Sequence, residues 1–158
     1  MYDNMGYPFT LRAQLSRVSN DFTLSLWVCT AAAEAPSSIF SVHQTVEGPR
    51  GLYLTAGPGG MNIQLTVGGA DRSLALASQN LQWHANQWYN IQLTCAGDTF
   101  ALYRDGQKIG EGATSEPMMR AASWYSDFGA QYGLADEIRF YNRALTQEEL
   151  SAVARLEE

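Results

Sequence analysis

At 158 residues the chain fits one domain over residues 1–158, with length enough to bury a hydrophobic core. Hydrophobic residues make up 46% and charged residues only 16%, which excludes an intrinsically disordered chain. The formal net charge is −6 and the Lys and Arg residues are scattered, so nucleic acid is excluded as a partner; no apolar run approaches the length of a membrane span.

The amino terminus, Met-Tyr-Asp-Asn-Met-Gly, lacks the basic-then-apolar pattern of a secretory signal. Either an export signal has been removed or the protein leaves its cell by another route, such as release of assembled virus particles at lysis. A strand is expected at Phe9–Leu15. Phe22, Leu24, Leu26 and Val28 then alternate with Thr23, Ser25 and Trp27, the period-two pattern of a strand with one face in the core. The small residues of Ala31–Pro36 read as a loop, and Ser38–His43 as the next strand.

Gly57-Pro58-Gly59-Gly60 separates Leu52–Thr55 from Met61–Val67 and predicts a hairpin. No Lys-Ser/Thr or helical pattern follows it, so it is not a phosphate loop. Ile63, Leu65 and Val67 alternate with Asn62, Gln64 and Thr66, and Leu74 and Leu76 resume after the turn at Gly68-Gly69-Ala70-Asp71. Tyr89, Ile91, Leu93 and Cys95 share one face, opposite Trp88, Asn90, Gln92 and Thr94. Asp105-Gly106 between Phe100–Arg104 and Gln107–Gly110 is the strongest short hairpin signal in the chain. A loop over Ala113–Met119 and a strand at Asp136–Asn142 follow. Strands recurring at roughly 8–12-residue spacing predict an all-β sandwich or barrel.

A helix is signalled near the carboxyl end. Thr146 can cap it, and Glu149 three residues on completes a capping box, with Leu145 and Leu150 placed for a hydrophobic staple. Glu148 and Glu149 sit at the positive end of its dipole and Arg155 near the negative end. Leu150, Val153 and Leu156 are expected to dock on the sandwich.

Four segments together resemble the laminin-G-like, concanavalin-A-like jelly-roll family, relatives of pentraxins and legume lectins. They are Asp21-Phe-Thr-Leu-Ser-Leu-Trp-Val28, Asn86-Gln-Trp-Tyr-Asn-Ile-Gln-Leu-Thr94, Phe100-Ala-Leu-Tyr-Arg-Asp-Gly-Gln-Lys108, and the run from Gly133 to Leu150. The last is the most specific, since Asp-Glu-Ile-Arg-Phe-Tyr-Asn-Arg-Ala-Leu followed by a capped helix resembles the family's usual ending. The resemblance implies two antiparallel sheets packed face to face, and a module that binds glycans, proteins or lipid headgroups, often through calcium at rim loops.

The pentraxin-type double calcium site corresponds here to Trp124–Phe128, where Asp127 is the only carboxylate, and to Gln44–Arg50, which offers only Glu47. That is too few for an ion needing about six to eight oxygens. Asp136 is the candidate ligand for a structural calcium. Sharing parity with Ile138 and Phe140, it is expected to face inward, the alternative being a carboxylate satisfied by backbone N–H groups or an Arg. The pentraxin disulfide would join positions matching Ser25 and Asn90 or Ile91, so the resemblance implies that Cys29 and Cys95, displaced from that crossing in opposite directions, are free thiols. His43 and His84 stand alone, without zinc-ligand spacing.

No Glu-x-Asp-x-x-Glu run, Gly-x-Ser-x-Gly elbow or His-Glu-x-x-His pair occurs, so a non-enzymatic function is expected. Glycan recognition would use exposed aromatics flanked by amide and carboxylate groups. Trp124 and Tyr125 with Ser126 and Asp127, read as a loop before the last strands, form the leading candidate, and Trp83 with Asn80, Gln82 and His84 the second. Trp27 and Trp88 are read as scaffold. The alternative function is structural: a virion component, such as a capsid decoration, fibre or tail protein, using the sandwich for assembly or attachment. Either role places the protein outside the cell, on a cell surface or on a virion surface, with a homo-oligomer or a larger assembly such as a phage particle as the expected setting.

Overall fold

The computed structural model describes residues 10–11, 21–30, 37–43, 51–57, 60–66, 73–77, 84–113, 125–128 and 133–155, with side chains over 21–29, 84–113 and 134–155. The elements are β1 (Thr10–Leu11), β2 (Phe22–Thr30), β3 (Ser37–His43), β4 (Gly51–Gly57), β5 (Gly60–Thr66), β6 (Ser73–Ala77), β7 (Trp88–Ala96), β8 (Thr99–Arg104), β9 (Gln107–Ala113), β10 (Tyr125–Phe128), β11 (Gly133–Tyr141) and α1 (Gln147–Val153). They form a jelly-roll sandwich of two antiparallel sheets, ordered β1-β10-β3-β4-β5-β6 and β11-β2-β7-β8-β9.

Turn chemistry fixes the hairpins. Asp105 and Gly106 join β8 to β9 with φ of 52° and 74°, the two left-handed residues that a type I′ turn requires. Asp105 is also clasped to β7: its amide donates to the Asn90 carbonyl at 2.8 Å, and its carboxylate accepts the Asn90 amide at 2.9 Å. Gly97, at φ 64°, opens the turn between β7 and β8, and its amide donates to Asp21 Oδ1 at 2.7 Å, tying that turn to the start of β2. Strands β4 and β5 pair antiparallel as expected, up to Gly57 opposite Gly60.

The core side of the five-stranded sheet carries the alternating residues expected: Phe22, Leu24, Leu26 and Val28 on β2, and Ile91, Leu93 and Cys95 on β7, all buried. Removing a side chain as fully enclosed as Leu26 would cost about 2–5 kcal/mol. The opposite side of β2 and β7 differs from a simple half-buried strand, because Thr23, Ser25, Asn90, Gln92 and Thr94 are buried as well. Helix α1 accounts for this. Leu145, Leu150 and Val153 pack with Ala101 and Tyr103 on that outer face, and Tyr141 closes against them. Two of these polar residues bond the helix segment: Gln92 Nε2 donates to the Leu150 carbonyl at 2.7 Å, and Thr23 Oγ1 donates to the Arg143 carbonyl at 3.0 Å; Asn90 Nδ2 donates to Ser25 Oγ and Thr94 Oγ1 to the Ala101 carbonyl.

The helix start is as the sequence predicts. Thr146 is the N-cap, its side chain accepting from the Glu149 amide while the Glu149 carboxylate accepts from the Thr146 amide. Arg143 adds a two-pronged pair to the same carboxylate, both contacts at 2.7 Å. Arg155 Nε donates to the Ser151 carbonyl at 3.0 Å near the other end. Leu156 lies outside the described residues.

Three expectations are corrected. The strand expected at Asp136–Asn142 starts earlier, at Gly133, and ends at Tyr141. It also contains a β-bulge: Asp136 faces Trp27 and Arg139 faces Ser25, so two residues of β11 oppose Leu26 alone, and Glu137 takes φ 48°. One extra residue reverses parity, so Asp136 lies on the outer side with Trp27 and is exposed, rather than facing inward with Phe140. Finally, Tyr125–Phe128, read as a loop, is strand β10, paired with β3 on one side and β1 on the other.

Candidate functional site

Of the candidate glycan-binding residues, Trp83 and Trp124 lie outside the described residues, while Tyr125 and Asp127 occupy β10. The register around β10 assembles a row across the whole six-stranded sheet: Thr10, Asp127, Ser41, Tyr53, Gln64 and Ala75 stand directly opposite one another in succession. Tyr125, His43, Gly51, Thr66 and Ser73 form a second row on the same face, and Ser38, Thr55, Asn62 and Ala77 a third. The intervening row, Leu11, Ser126, Val42, Leu52, Leu65 and Leu74, belongs to the opposite face, as does the row from Phe128 through Phe40, Leu54 and Ile63 to Leu76. By register, period two thus sorts the positions of the sheet into rows of mainly apolar residues and rows of hydroxyl, amide and aromatic residues.

Sequence reasoning found Tyr125 and Asp127 but missed their companions. Asn62 and Gln64 are visible in the sequence only as alternating partners of core residues, and Tyr53 only as part of the Leu52–Thr55 strand. What brings them beside Asp127 is the long-range pairing of β10 with β3, which no local pattern announces.

Asp136 has a different setting. Its Oδ1 accepts the Glu137 amide at 2.8 Å, which holds the bulge, and Glu137 pairs with Arg139 at 2.6 Å. Among the described residues, no three of His, Cys, Asp and Glu gather closely enough to hold a metal. The Asp136 carboxylate thus serves the backbone of the bulge. Two carboxylates with displaced pKa values, Glu111 and Glu149, are structural too. Lys108 holds Glu111 below the usual carboxylate range, and Arg143 holds Glu149 at about 2. A general acid requires the reverse displacement.

Cys29 and Cys95 are both buried and free. Cys29 stands opposite Trp88 and Cys95 opposite Phe22, at the two ends of the β2–β7 ladder and far beyond bridging distance. Burial, with Asp21 and Asp98 nearby, pushes the Cys95 thiol up to about 12, and its Sγ donates to the Gly97 carbonyl at 3.6 Å. Trp88, read as scaffold, is 40% exposed; with Leu134 at 54% it flanks Cys29 on the outer side of the five-stranded sheet. Among the described residues no helix is long and apolar enough to cross a membrane.

Comparison with solved structures places similar chains on this framework. A heptameric SAP-like pentraxin from Limulus polyphemus superposes with a TM-score of 0.69 at 17% identity, covering 98% of this chain and 79% of that one. Domain 4 of AbnA, a GH43 extracellular arabinanase from Geobacillus stearothermophilus solved with arabinotriose, gives 0.69 at 19% identity, covering 92% and 72%. The binding domain of botulinum neurotoxin serotype D gives 0.65 at 14% identity, covering 88% of this chain but 36% of that one. At such identities the likeness is one of fold. No curated protein matches the chain in sequence. The family model for the concanavalin A-like lectin/glucanases superfamily matches residues 6–151, nearly the whole chain, and the protein belongs to that superfamily.

Proposed function

We propose that this protein is a non-catalytic binding module that recognises glycans on the polar face of its six-stranded sheet, acting outside the cell or on a particle surface. The observation that carries this reading is the register joining Asp127 to Ser41, Tyr53 and Gln64. Aromatic residues offer faces to sugar C–H groups, and hydroxyl, amide and carboxylate groups read sugar hydroxyls; the two kinds share one surface here. Asp127 is the single carboxylate among the described positions of that face, short of the two carboxyl groups that glycoside hydrolysis usually needs. The arabinanase domain solved with arabinotriose supports glycan binding on this fold.

A glycan array probed with the wild-type protein and with Tyr125→Ala tests the proposal. Binding that the substitution weakens supports it, and silence of the wild-type protein on the array overturns it. A second reading, an assembly component such as a virion decoration or tail protein, draws on the exposed Leu134, Ile138 and Phe140 of edge strand β11. Size-exclusion chromatography separates the two readings: assembly predicts a concentration-dependent oligomer that Leu134→Asp disperses.

A further inference from the structure

We infer that the outer face of the five-stranded sheet holds an internal water molecule, bound by Trp27, Asn90 and Gln92 and built into the fold as a bridge towards α1. Among the described residues, Trp27 Nε1, Asn90 Oδ1 and Gln92 Oε1 are enclosed side-chain polar atoms with no hydrogen-bond partner in the protein. Register sets the three side chains beside one another. Trp27 on β2 stands directly opposite Asn90 on β7, and Ser25 opposite Gln92, so they rise from adjoining positions of one face. Asn90 and Gln92 are wholly buried. Buried polar atoms in folded proteins find a partner, and where protein groups do not supply it an ordered water does.

The other bonds of the two amides fix which of their atoms face the water. The Leu150 carbonyl can only accept, so the Gln92 group that meets it at 2.7 Å is the amide nitrogen, and the oxygen is the open atom. Asn90 Nδ2 donates to Ser25 Oγ at 3.4 Å, which leaves Oδ1 as the open atom there. The indole nitrogen of Trp27 is a donor and nothing else. The unmet groups are therefore one donor and two acceptors.

That pattern selects the occupant. Water can donate to both amide oxygens while accepting from the indole N–H, which satisfies every group at once. A metal cation would be repelled by the indole N–H and would find two neutral oxygens, far short of the set it needs. An ammonium group has no lone pair with which to accept from Trp27, and an anion would be turned away by two amide oxygens. Because the three atoms are enclosed, the water exchanges with bulk solvent only when the structure opens locally. The bridge runs from the Trp27 indole through the water to Gln92, and from Gln92 to the Leu150 carbonyl, joining β2 to α1 by way of β7. It gives Trp27 a role that a phenylalanine could not fill.

Water–protein cross-relaxation NMR on the isotope-labelled protein tests this, the Trp27 indole signal being the one that Trp27→Phe removes. The expected result is a cross-peak between the Trp27 indole proton and water, with NOE and ROE of opposite sign, as a water held longer than the tumbling time of the protein gives. The peak should persist in Ser25→Ala, which removes a neighbouring hydroxyl whose exchanging proton could mimic it. Water relaxation dispersion should show one long-lived water fewer in Asn90→Leu than in the wild-type protein. Each variant is first confirmed as folded by its melting curve; if Asn90→Leu does not fold, Trp27→Phe takes its place in the count. A Trp27 indole proton without a water peak in the folded wild-type protein overturns the inference. So does a peak that vanishes in Ser25→Ala, or an unchanged count of long-lived waters.

Discussion

The Thr23 hydroxyl accepts a hydrogen bond from the Leu145 amide at 2.9 Å, joining residues 122 positions apart at the head of the helix segment. The same hydroxyl donates to the Arg143 carbonyl, so one side chain on β2 fixes both sides of the approach to α1. Thr23→Val keeps the β-branched shape but strands a buried N–H, which should cost about 1–3 kcal/mol. Tm should fall by roughly 2–4 °C for each kcal/mol lost. Thr23→Ser, which retains the hydroxyl, should lose much less. Hydrogen exchange at the Leu145 amide checks the assignment: it should quicken in the valine variant and stay slow in the serine variant.

Gly106 and Gly97 both have positive φ, but only Gly106 is crowded. A Cβ at Gly106 would stand 2.9 Å from Ser151 Cα, whereas a Cβ at Gly97 would meet nothing within 4 Å. Gly97→Ala should therefore cost only the left-handed penalty, about 1–2 kcal/mol. Gly106→Ala adds a collision with helix backbone and should cost clearly more, because α1 must lift from the hairpin that Gln147 and Ser151 now grip through the Gly106 carbonyl. Urea midpoints of the two variants, compared directly, give the difference.

These contacts mark where the sequence could be read and where it could not. Strand β2, the Asp105-Gly106 turn and the Thr146–Glu149 box are local statements: alternation, two left-handed residues and a three-residue spacing each specify their own geometry. Strand β10 is the opposite case. Tyr-Ser-Asp-Phe has weak strand preference of its own, and its conformation comes from ladders to β1 and β3, distant in sequence. The bulge in β11 was hidden for a related reason. Asp-Glu-Ile-Arg-Phe alternates as well as any strand, and only pairing with β2 reveals that two residues oppose Leu26. Burial of Thr23 and Gln92 likewise depends on a helix more than fifty residues downstream of Gln92. The candidate face therefore emerged as two residues, Tyr125 and Asp127, in the sequence, and as a surface only once the rows were assembled.

The bulge also decides what Asp136 does. Because its carboxylate caps the Glu137 amide, Asp136→Asn, which keeps an acceptor oxygen, should be nearly neutral. Asp136→Leu should destabilise modestly, by about 1 kcal/mol, since water can reach the exposed amide. Calcium should not raise Tm in the wild-type protein, and EDTA should not lower it, because an ion binding the native state would shift the melt by linkage. A calcium-dependent rise that Asp136→Asn abolishes would contradict this account.

The Cys95 thiol, fully enclosed and with its pKa raised to about 12, should be inert in the native protein. Iodoacetamide at pH 8 should leave Cys95 unmodified for as long as the protein stays folded and should alkylate both cysteines in urea. The intact mass without reductant should match two free thiols. Rapid native labelling of Cys95, located by peptide mapping, would count against the enclosed position.

Glu149 gives the fold a defined acid sensitivity. Arg143 first, and the Thr146 amide second, lower its carboxyl from the ordinary 4.5 to about 2. A group whose folded pKa lies below its unfolded value stabilises the native state above the unfolded pKa. That stabilisation fades as pH falls from about 4.5 through about 2 and is fully lost only below both values. Glu149→Gln keeps an oxygen for the Thr146 amide but removes the charge that Arg143 pairs with, so it isolates the ionic part. At pH 7 the variant should melt below the wild-type protein, and the gap should narrow steadily through this window and be mostly gone by about pH 2. Because the pair is exposed, the gap at pH 7 should also shrink in high salt. A gap that persists unchanged at pH 2 would assign the loss to altered capping instead of to the Arg143 pair.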